Sequence, residues 1–594
     1  MAERIIHRGP DGEGYYISKE QSLPVVLGHR RLSIIDLSEG GQPIYNEDNS
    51  CVIVFNGEIY NYQELRTELV NAGHVFTTNS DTEVIIHGYE QWGEDIVNRL
   101  RGMFAFVIFD IEANKLFGAR DHFGIKPFYY TQLPSGDVIF GSEIKSFLEH
   151  PKFKAEVNPD ILLSYMTLQY NPSPDTFFKN VKKLEPAHKF VFRNGKVSTN
   201  RYWDVDFTKN RNNSFEEAAI ELDERVRESV KAHCIADVEV GSYLSGGIDS
   251  SYVTALQVPN KTFSVGFGGD SYFDETTDAQ NLSNILGIEN HTVHLSPDDC
   301  MGIVETVQYH MDEPDANLSS LPLFYLSDMT SKQVKVVLSG EGADEIFAGY
   351  DWYVDTPAMR KYKVLPQTLR SSIANWARGK SYFKGQGFLE KSSGRPEDYF
   401  IGHALVFEPQ DAPAFLKQAF KNGIEVRDIT DPIYKRAKDL CELEKKQYLD
   451  FHMWLQGDML LKADKMSMSH SIELRVPFLD KVLVEYSQSI KADHKVRGDV
   501  SKAVLRAASQ KSLPSEWVRR PKKGFPVPII HWFREEKYYQ MLKSAFESDV
   551  AAEFFEVDKC LELLEDHKNN VANNQRKIWN IYVFLMWHKA FMEA

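Results

Sequence analysis

Short apolar runs alternate with polar turns over the first 200 residues. Runs rich in Val, Ile, Phe and Tyr predict strands at 51–55, where Asn56-Gly57 breaks the run, and at 103–109, 115–119, 125–130 and 137–141. Helical periodicity predicts helices near 61–72 and 81–97. Because close-spaced strands outnumber helices, this part of the chain is typical of an α+β domain built on antiparallel sheets.

The pattern changes after the polar, aperiodic segment 204–214, which we interpret as a linker. Strands predicted at 238–244, 261–267, 291–295 and 334–338 alternate with helices predicted at 215–233, 250–257, 274–286 and 319–331. This alternation indicates a parallel, doubly wound sheet. Beyond residue 355 the pattern is almost entirely helical. We therefore expect one domain over 1–203 and a second over 215–594.

Composition narrows the class of protein. With 594 residues, 42% of them hydrophobic and 26% charged, the chain is an ordinary globular protein of several domains, not a disordered, collagen-like or disulfide-rich one. A formal net charge of −17 argues against nucleic acid or anionic lipid as a partner. The five scattered cysteines and the lack of an apolar run of about 18 residues predict reduced thiols, no membrane partner and a cytoplasmic location.

The strongest chemical motif is the sequence Ser-Gly-Gly-Ile-Asp-Ser-Ser at 245–251, between a predicted strand and a predicted helix. Gly246 and Gly247 let the backbone close over an anion, and the helix amides, with Ser245 and Ser250, supply donors. Asp249 would repel a bare phosphate but suits a phosphate-bound Mg²⁺. No Gly-Lys-Ser/Thr follows, so the motif is not a Walker A loop. The competing interpretation, a serine-capped turn, does not explain the full motif.

A second polar turn follows the strand predicted at 334–338. It contains Ser339, Gly340, Glu341 and Asp344, at the end of a parallel strand where doubly wound folds bind ligands. Near the far end of the chain, residues 519–525 concentrate basic side chains around Lys522, which can stabilise negative charge that develops during adenylation. Alone, that segment is equally well explained as a solvated loop.

Four polar turns in the first 150 residues suggest a pocket for an amino acid. They lie at 7–11, 29–34, 56–61 and 80–83. An α-amino acid needs a guanidinium for its carboxylate and a carboxylate for its ammonium group, and these turns offer both. Each turn alone is more often a cap than a site.

Together these motifs resemble the glutamine-hydrolysing asparagine synthetase B family over nearly the whole chain. The matching segments are HRGPD (7–11), RRLSIID (30–36), FNGEIYNY (55–62), SDTE (80–83), RGMFAF (101–106), ARDHFGIKPFYY (119–130), SGGIDSS (245–251), LSGEGADEIFAGY (338–350) and KADKMSMSHSIELRVPFLD (462–480). The resemblance implies an α+β N-terminal nucleophile (class II glutaminase) four-layer sandwich. An α/β parallel-sheet ATP-pyrophosphatase domain, adenine nucleotide alpha hydrolase-like, follows, with a helical C-terminal extension.

The resemblance also implies a reaction. Glutamine would be hydrolysed in the first domain, and its ammonia would reach aspartate that ATP and Mg²⁺ have converted to β-aspartyl-AMP in the second. A homodimer is a further expectation. The implied glutamine-binding residues are Arg31, Asn56, Gly57, Glu58 and Asp81, and Asn56 and Gly57 would form the oxyanion hole. The implied ATP-binding residues are Leu244, Ser245, Gly246, Gly247, Asp249, Ser250, Val265, Ser339 and Gly340. The implied metal ligands are Asp249 and Asp344, and the implied catalytic residues of the second domain are Glu341 and Lys522.

One departure concerns the nucleophile. The family begins Met-Cys-Gly-Ile, whose cysteine attacks glutamine with its own α-amine as base, whereas this sequence begins Met-Ala-Glu-Arg and Cys51 lies inside a predicted strand. As written, the chain is expected to use free ammonia only. Either Met1 is an internal methionine of a longer protein, or the glutaminase is inactive, as in a ring-closing relative such as a β-lactam synthetase.

Two other functions stay open from the sequence. The first is the same chemistry on another carboxylate, such as a sugar acid, a peptide or a secondary-metabolite precursor. The second is a nucleotide-binding regulatory protein without catalysis. The second is disfavoured because Glu341, Asp344 and Lys522 are all present, and a scaffold would not require them.

Overall fold

A computed structural model of the chain describes residues 1–18, 24–209, 213–268, 274–380, 383–522, 524 and 526–593. Residues 210–212 of the predicted linker lie outside the described residues, as do Lys523 and Phe525 of the basic segment. In the described part of the chain, no helix combines the length and the apolar character that crossing a bilayer requires. All five cysteines are free thiols, as expected.

The N-terminal region is built on antiparallel sheets, which confirms the α+β prediction. Its six-stranded main sheet has the order β11-β10-β6-β5-β4-β3, a smaller sheet has the order β8-β7-β9, and β1 pairs with β2. The strands are β1 (Gly12–Ile17), β2 (Val26–Arg31), β3 (Ile44–Tyr45), β4 (Cys51–Ile59), β5 (Gly102–Asp110), β6 (Lys115–Arg120), β7 (Tyr129–Gln132), β8 (Val138–Gly141), β9 (Val181–Lys183), β10 (His188–Arg193) and β11 (Lys196–Arg201).

Both faces of the main sheet are covered. Helices α1 (Tyr62–Asn71) and α2 (Glu83–Trp92) pack on one face, in an apolar cluster that includes Leu65 and Phe55. The other face packs Val54 against Phe128 and Leu27, beside β2 and the smaller sheet. Successive side chains of a strand point to opposite faces, so β4 is buried on both sides. Two short helices complete this region, α3 (Ile96–Arg99) and α4 (Leu162–Leu168).

Three predicted elements differ in extent. Asn56-Gly57 does not end β4, because Gly57 stays paired opposite Phe104 as the strand continues to Ile59. The predicted strand 125–130 was largely wrong: β7 begins at Tyr129, because the Asp121 carboxylate accepts hydrogen bonds from three backbone N–H groups between 123 and 126 and folds that segment into a turn. The helix predicted at 81–97 breaks at Gly93, which has a φ of 61°.

The second region contains the predicted parallel sheet, in the order β14-β13-β12-β15-β16. Its strands are β12 (Val240–Tyr243), β13 (Lys261–Phe267), β14 (Glu289–Leu295), β15 (Val336–Leu338) and β16 (Glu473–Arg475). The sequence did not predict β16, because its three residues include two charged ones and lie in a stretch of helical pattern. It is a strand because it pairs in register with β15.

Helices surround this sheet and fill the rest of the chain. Predicted and observed ends of α5, α6, α7 and α10 agree within two residues. The helices are α5 (Phe215–His233), α6 (Ile248–Gln257), α7 (Thr276–Leu286), α8 (Pro297–Gly302), α9 (Val304–Met311), α10 (Ser320–Ser331), α11 (Ala343–Phe347), α12 (Pro357–Tyr362), α13 (Gln367–Arg378), α14 (Gln386–Lys391), α15 (Val426–Arg436), α16 (Glu442–Asp450), α17 (Leu460–Met468), α18 (Lys481–Ser489), α19 (Ala492–Lys495), α20 (Ala503–Ser509), α21 (Ser515–Arg519), α22 (Ile529–Trp532), α23 (Glu536–Phe546), α24 (Asp549–Phe554), α25 (Val557–Lys568) and α26 (Gln575–Met592), with a π-helix at Phe451–Met459.

A buried ionic cluster joins the two regions. Arg8 contacts Asp464 through two hydrogen bonds, with Nη1 2.8 Å from Oδ2. Lys465 Nζ lies 2.5 Å from Asp312, which also receives Lys145 at 2.8 Å. All five side chains are at most 4% exposed. The HRGPD turn, expected to help form an amino-acid pocket, therefore contributes Arg8 to contacts between the regions instead.

Candidate active site

The two serine–glycine turns face each other at the carboxyl ends of β12 and β15, which are neighbours in the parallel sheet. Gly340 lies so close to the first turn of α6 that a Cβ there would be 2.6 Å from Ser250 N. Any larger residue would push the turns apart. A cavity of about 580 Å³ opens between them; its lining includes Leu244, Ser245, Asp249, Ser250, Val265, Ser339, Gly340, Glu341, Asp344 and Lys522.

Gly246 and Gly247, also expected to contact the nucleotide, are not among the residues that line this cavity. Gly247 is the N-cap of α6, and Gly246 accepts a hydrogen bond from Arg520 through its carbonyl. The serine hydroxyls are closer to the opening, where Ser245 Oγ lies 3.0 Å from Ser250 Oγ. The glycines therefore shape the turn, and the hydroxyls and α6 amides face the space that an anion would occupy.

Lysines lie between the two carboxylates predicted to hold metal. Lys502 Nζ is 2.6 Å from Asp249 Oδ2 and 2.5 Å from Asp344 Oδ1, and Lys522 Nζ is 2.6 Å from Asp344 Oδ2. Burial opposes ionisation of Asp344, but the two ammonium groups lower the pKa of its carboxyl below the usual range. Burial likewise disfavours the charged Lys522, but Asp344 and Asp249 raise its pKa. Asp344 and Lys522 therefore stabilise each other in their charged forms.

The donor set also fits Mg²⁺. Asp249 Oδ1 is a buried carboxylate oxygen that has no hydrogen-bond partner among the described residues. Mg²⁺ prefers carboxylate and phosphate oxygens and keeps several waters. Asp249 and Asp344, with a nucleotide's phosphates, could therefore hold the ion.

The other end of the cavity has cationic side chains that the sequence did not single out. Lys462 Nζ lies 3.8 Å from Glu341 Oε1 and donates to Ser319 Oγ at 3.0 Å. Arg576, on the last helix, also lines the cavity and donates to Gln169 Oε1 at 3.0 Å. An anionic small molecule would meet two positive groups here.

A second group of predicted residues lies on β4 and at the start of α2. Gly57 is required in its position because a Cβ would lie 2.0 Å from Met103 O. Asp81 accepts a hydrogen bond from Ile59 N at 2.9 Å, which brings it beside Glu58. Burial raises the pKa of Asp81 to about 6. Burial, followed by the charge of Asp81, raises the pKa of Glu58 well above its usual range. A ligand's ammonium group would relieve this pair.

The remaining members of the group are only partly assembled. Asn56 donates to Ser142 Oγ at 3.4 Å. Arg31 follows His29 on β2, and His29 reaches Phe55 O on β4 at 3.0 Å, which brings the two strands together. The Arg31 guanidinium donates to backbone carbonyls of Ile35 and Asp36 in the next loop.

Arg475 connects the two groups of residues. Its guanidinium is fully buried, lies 2.6 Å from Glu58 Oε2 and 2.8 Å from Glu473 Oε1, and donates to the carbonyls of His233 and Ile235. Its own carbonyl accepts from Ser339 N at 2.9 Å. One residue of β16 thus contacts both the Glu58–Asp81 pair and the second serine–glycine turn. Arg475 lies in the segment 462–480 that matches the family, but no role could be assigned to it or to Lys502 from sequence, because both depend on long-range packing.

Comparisons with known proteins agree with this geometry. A family model for asparagine synthase matches residues 221–589, and one for a glutamine amidotransferase domain matches residues 1–203. The chain is 39% identical to glutamine-hydrolysing asparagine synthetase 1 of Bacillus subtilis, over 100% of this chain and 93% of that protein. It is 34% identical to a putative glutamine-hydrolysing asparagine synthetase of Mycobacterium bovis, over 99% of this chain and 92% of that one.

A more distant relative is the amidase chyE of Penicillium rubens, at 30% identity over 89% of this chain and 84% of that protein. The two matched domains, with the sheets described above, confirm the predicted fold class: an N-terminal nucleophile type amidotransferase domain followed by a parallel-sheet ATP-pyrophosphatase domain with a helical C-terminus. The chain belongs to the glutamine-hydrolysing asparagine synthetase family.

Proposed function

We propose that this protein makes asparagine from aspartate, ATP and ammonia, and that glutamine supplies the ammonia wherever the family's cysteine nucleophile is present. The observation that supports this most is the cavity at the carboxyl ends of the parallel strands. Its lining brings Glu341 and Lys522, which are 181 positions apart in sequence, together with both serine–glycine turns. Neither a scaffold nor a simple nucleotide-binding protein requires that combination.

ATP would lie across the two turns, with its phosphates against the α6 amides and the hydroxyls of Ser245, Ser250 and Ser339. Mg²⁺, held by Asp249 and Asp344, would neutralise phosphate charge and orient the pyrophosphate as leaving group. Leu244, Val265 and Gly340 would contact the rest of the nucleotide. Lys502 would move from between the two aspartates toward a phosphate as the ion enters.

The reaction would take place in two steps. An oxygen of the aspartate side-chain carboxylate attacks the α-phosphorus, the bond to the β-phosphate oxygen breaks, and pyrophosphate leaves. Ammonia then attacks the acyl carbon of β-aspartyl-AMP, and AMP leaves as a proton is lost from nitrogen. Lys522 would stabilise negative charge that develops in the first step, and Glu341 would contact the intermediate and can accept the proton.

Glutamine would bind in the N-terminal region. Glu58 and Asp81 would receive its ammonium group. Arg475 already pairs with Glu58 Oε2, but Glu58 Oε1 is buried without a hydrogen-bond partner among the described residues and could accept from the ligand. Arg31 would release its loop carbonyls to take the carboxylate. Asn56 and the Gly57 amide would form the oxyanion hole.

The acceptor is the least constrained part of the proposal. Lys462 and Arg576 suit an acceptor with two carboxylates, as aspartate has, and this favours asparagine as the product. The alternative is amidation of another carboxylate by the same adenylation chemistry. The 30% identity to a fungal amidase is the observation that supports this alternative.

A pyrophosphate-exchange assay tests the proposal. With ATP, Mg²⁺ and aspartate, labelled pyrophosphate should enter ATP, and asparagine should appear when ammonium is added. A separate reaction with glutamine in place of ammonium tests the expectation that the chain as written uses free ammonia only. The Lys522→Met variant should lose both signals, the Glu341→Gln variant should lose asparagine formation, and an exposed-lysine variant, Lys511→Met, should keep both. Exchange with another acid but not with aspartate would support the alternative, and no exchange with any acid would refute the adenylation chemistry.

We also propose a division between the two activities at residues 204–214 and a cytoplasmic location. The first is supported by α5, whose first turn is closed by a reciprocal capping box between Ser214 and Glu217. The second is supported by five cysteines that are all free thiols. A homodimer stays a prediction, which sedimentation of the purified protein tests.

A further inference from the structure

Two histidines and two glutamates converge on one point of the N-terminal region, away from the residues described above. Glu47 lies in the turn between β3 and β4, His74 follows α1, and His87 and Glu90 are one turn apart on α2. One ligand atom from each lies within 4.8 Å of all the others. Three separate segments of the chain thus supply a mixed nitrogen and oxygen donor set.

Four distances between ring nitrogens and carboxylate oxygens of these side chains lie near those of a tetrahedral metal site, with Glu47 directing a different oxygen to each histidine. Four ligands about 2.1 Å from a zinc ion lie about 3.4 Å from one another. His87 Nδ1 is 3.0 Å from Glu90 Oε2 and 3.3 Å from Glu47 Oε2, and His74 Nδ1 is 3.1 Å from Glu47 Oε1 and 3.8 Å from Glu90 Oε2. These four separations fall on both sides of the tetrahedral value.

Outer hydrogen bonds orient both histidines for metal binding. His87 Nε2 lies 3.4 Å from the carboxylate of Glu83, and His74 Nε2 lies 3.1 Å from Gln91 Oε1. A proton held on each Nε2 leaves a lone pair on each Nδ1, and both Nδ1 atoms point to the common centre. A carboxylate behind a histidine is the usual outer partner at metal sites.

The outer partners of the carboxylates are also in place. Glu83 accepts hydrogen bonds from the backbone N–H groups of Thr77 and Thr78, each at 2.7 Å. Glu90 accepts from Asn46 Nδ2 at 2.7 Å, and Glu47 accepts from Val75 N at 2.9 Å. The four inner residues are therefore held where they are by bonds that a metal would not need to break.

The cluster has an excess of negative charge that a cation would balance. Three carboxylates, those of Glu47, Glu83 and Glu90, each lie within 3.4 Å of a ring nitrogen of His74 or His87. His87 is fully buried, and the side chains of Glu47 and Glu90 are 30% and 23% exposed. One side of the cluster thus opens to solvent, from which an ion and a water ligand can enter.

We propose that Glu47, His74, His87 and Glu90 bind a divalent transition-metal ion, with zinc as the favoured occupant. Imidazole nitrogen with carboxylate oxygen suits zinc, and the tetrahedral spacing fits its usual coordination. The ion would tie the β3–β4 turn and the segment after α1 to α2. Because Asp81 precedes α2 by two residues, the role we infer for the metal is structural support of that end of the N-terminal region.

Zinc binding by the full chain, purified without a polyhistidine tag, tests this proposal. The protein is stripped with a chelator, dialysed into buffer with excess Mg²⁺ and titrated with zinc against a chromophoric chelator. We expect one equivalent of tight binding and a higher melting midpoint with zinc. His74→Gln and His87→Gln should weaken binding by more than the about 10–100-fold that loss of an outer partner costs. Cobalt should give the intense visible absorbance of a tetrahedral site.

His188→Gln is the matched control, because His188 lies in the same region and near a glutamate, with Nε2 3.7 Å from Glu185 Oε2. It should bind zinc as the native protein does. His74→Gln changes a residue whose side chain is 14% exposed and should fold normally, which circular dichroism checks. Native protein that binds no zinc, or both cluster variants binding it with unchanged affinity, would overturn the proposal.

Discussion

Replacing Arg475 with methionine should strongly destabilise the contact between the two regions of the protein. Methionine fills similar space but leaves Glu58 and Glu473 without their buried partner and two carbonyls without a donor. Removing one member of a buried ion pair typically costs about 3–5 kcal/mol. For a cooperative unit that spans all 594 residues, with an unfolding entropy of about 2.1 cal/mol/K per residue, that is a drop of roughly 2–4 °C in melting midpoint.

A second substitution should restore part of the stability that Arg475→Met removes. Glu58→Gln in the Arg475→Met background removes the stranded carboxylate, and we expect a coupling energy of about 0.5–3 kcal/mol between the two positions. Arg101→Met is the matched control: Arg101 pairs with Asp480 at 2.7 Å across the same boundary, but its side chain is 25% exposed. Pairs with such access to water contribute about 0–1 kcal/mol.

Scanning calorimetry at neutral pH of Arg475→Met, Glu58→Gln, the double variant and Arg101→Met provides the measurement. The reasoning fails if Arg475→Met melts no lower than Arg101→Met, or if Glu58→Gln brings no recovery. In either case Glu58 would be accommodated without Arg475, and the contact would have no energetic role in joining the regions.

Three further predictions concern the active-site groups. The pKa of Asp81 is about 6 in the folded protein and about 3.9 in the unfolded chain, so the folded state binds the proton more tightly. The free energy of unfolding should therefore fall as pH rises from about 4 to about 6, and Asp81→Asn should flatten the pH dependence of the melting midpoint. Lys522→Met should lower kcat for asparagine formation by about 10²–10³-fold with little change in ATP affinity, measured by steady-state kinetics and calorimetric titration; equal kcat would exclude a role in the transition state. Lys502→Met should melt several degrees lower without Mg²⁺ and be rescued by Mg²⁺ alone, because it frees Asp249 and Asp344 to bind the ion; a variant that Mg²⁺ does not stabilise would contradict this.

The sequence predicted what local pattern determines. The apolar runs around β12, β13 and β15, and the glycine turns that follow two of them, identified the parallel sheet and one wall of the cavity. The strand β16 was missed because its conformation depends on pairing with β15, whose paired residues are 137 positions earlier in the sequence. Lys502 and Arg475 were missed for the same reason. Nothing in the local sequence distinguishes either residue from other cationic residues, and the role of each is visible only from the carboxylates that the fold places beside it.

The segment 125–128 shows the converse error. Its apolar residues suggested a strand, but one upstream carboxylate, that of Asp121, captures the backbone donors that a strand would have used. In the same way, Asn56-Gly57 suggested the end of a strand, whereas Gly57 tolerates an unusual φ within the ladder. Two factors therefore could not be predicted from the local pattern. One is hydrogen bonding of a side chain to backbone N–H groups, and the other is the identity of the strand that pairs with a given segment.

The buried cluster of Arg8, Asp464, Lys465, Asp312 and Lys145 has a consequence for how the molecule comes apart. Separating the two regions breaks these buried ion pairs. A small separation would leave charges without their partners before water can hydrate all of them, which is unfavourable. Heating should therefore give one calorimetric transition that covers the whole chain. Amide hydrogens of β5 and of β15 should exchange with deuterium at similar rates, as parts of a single cooperative body.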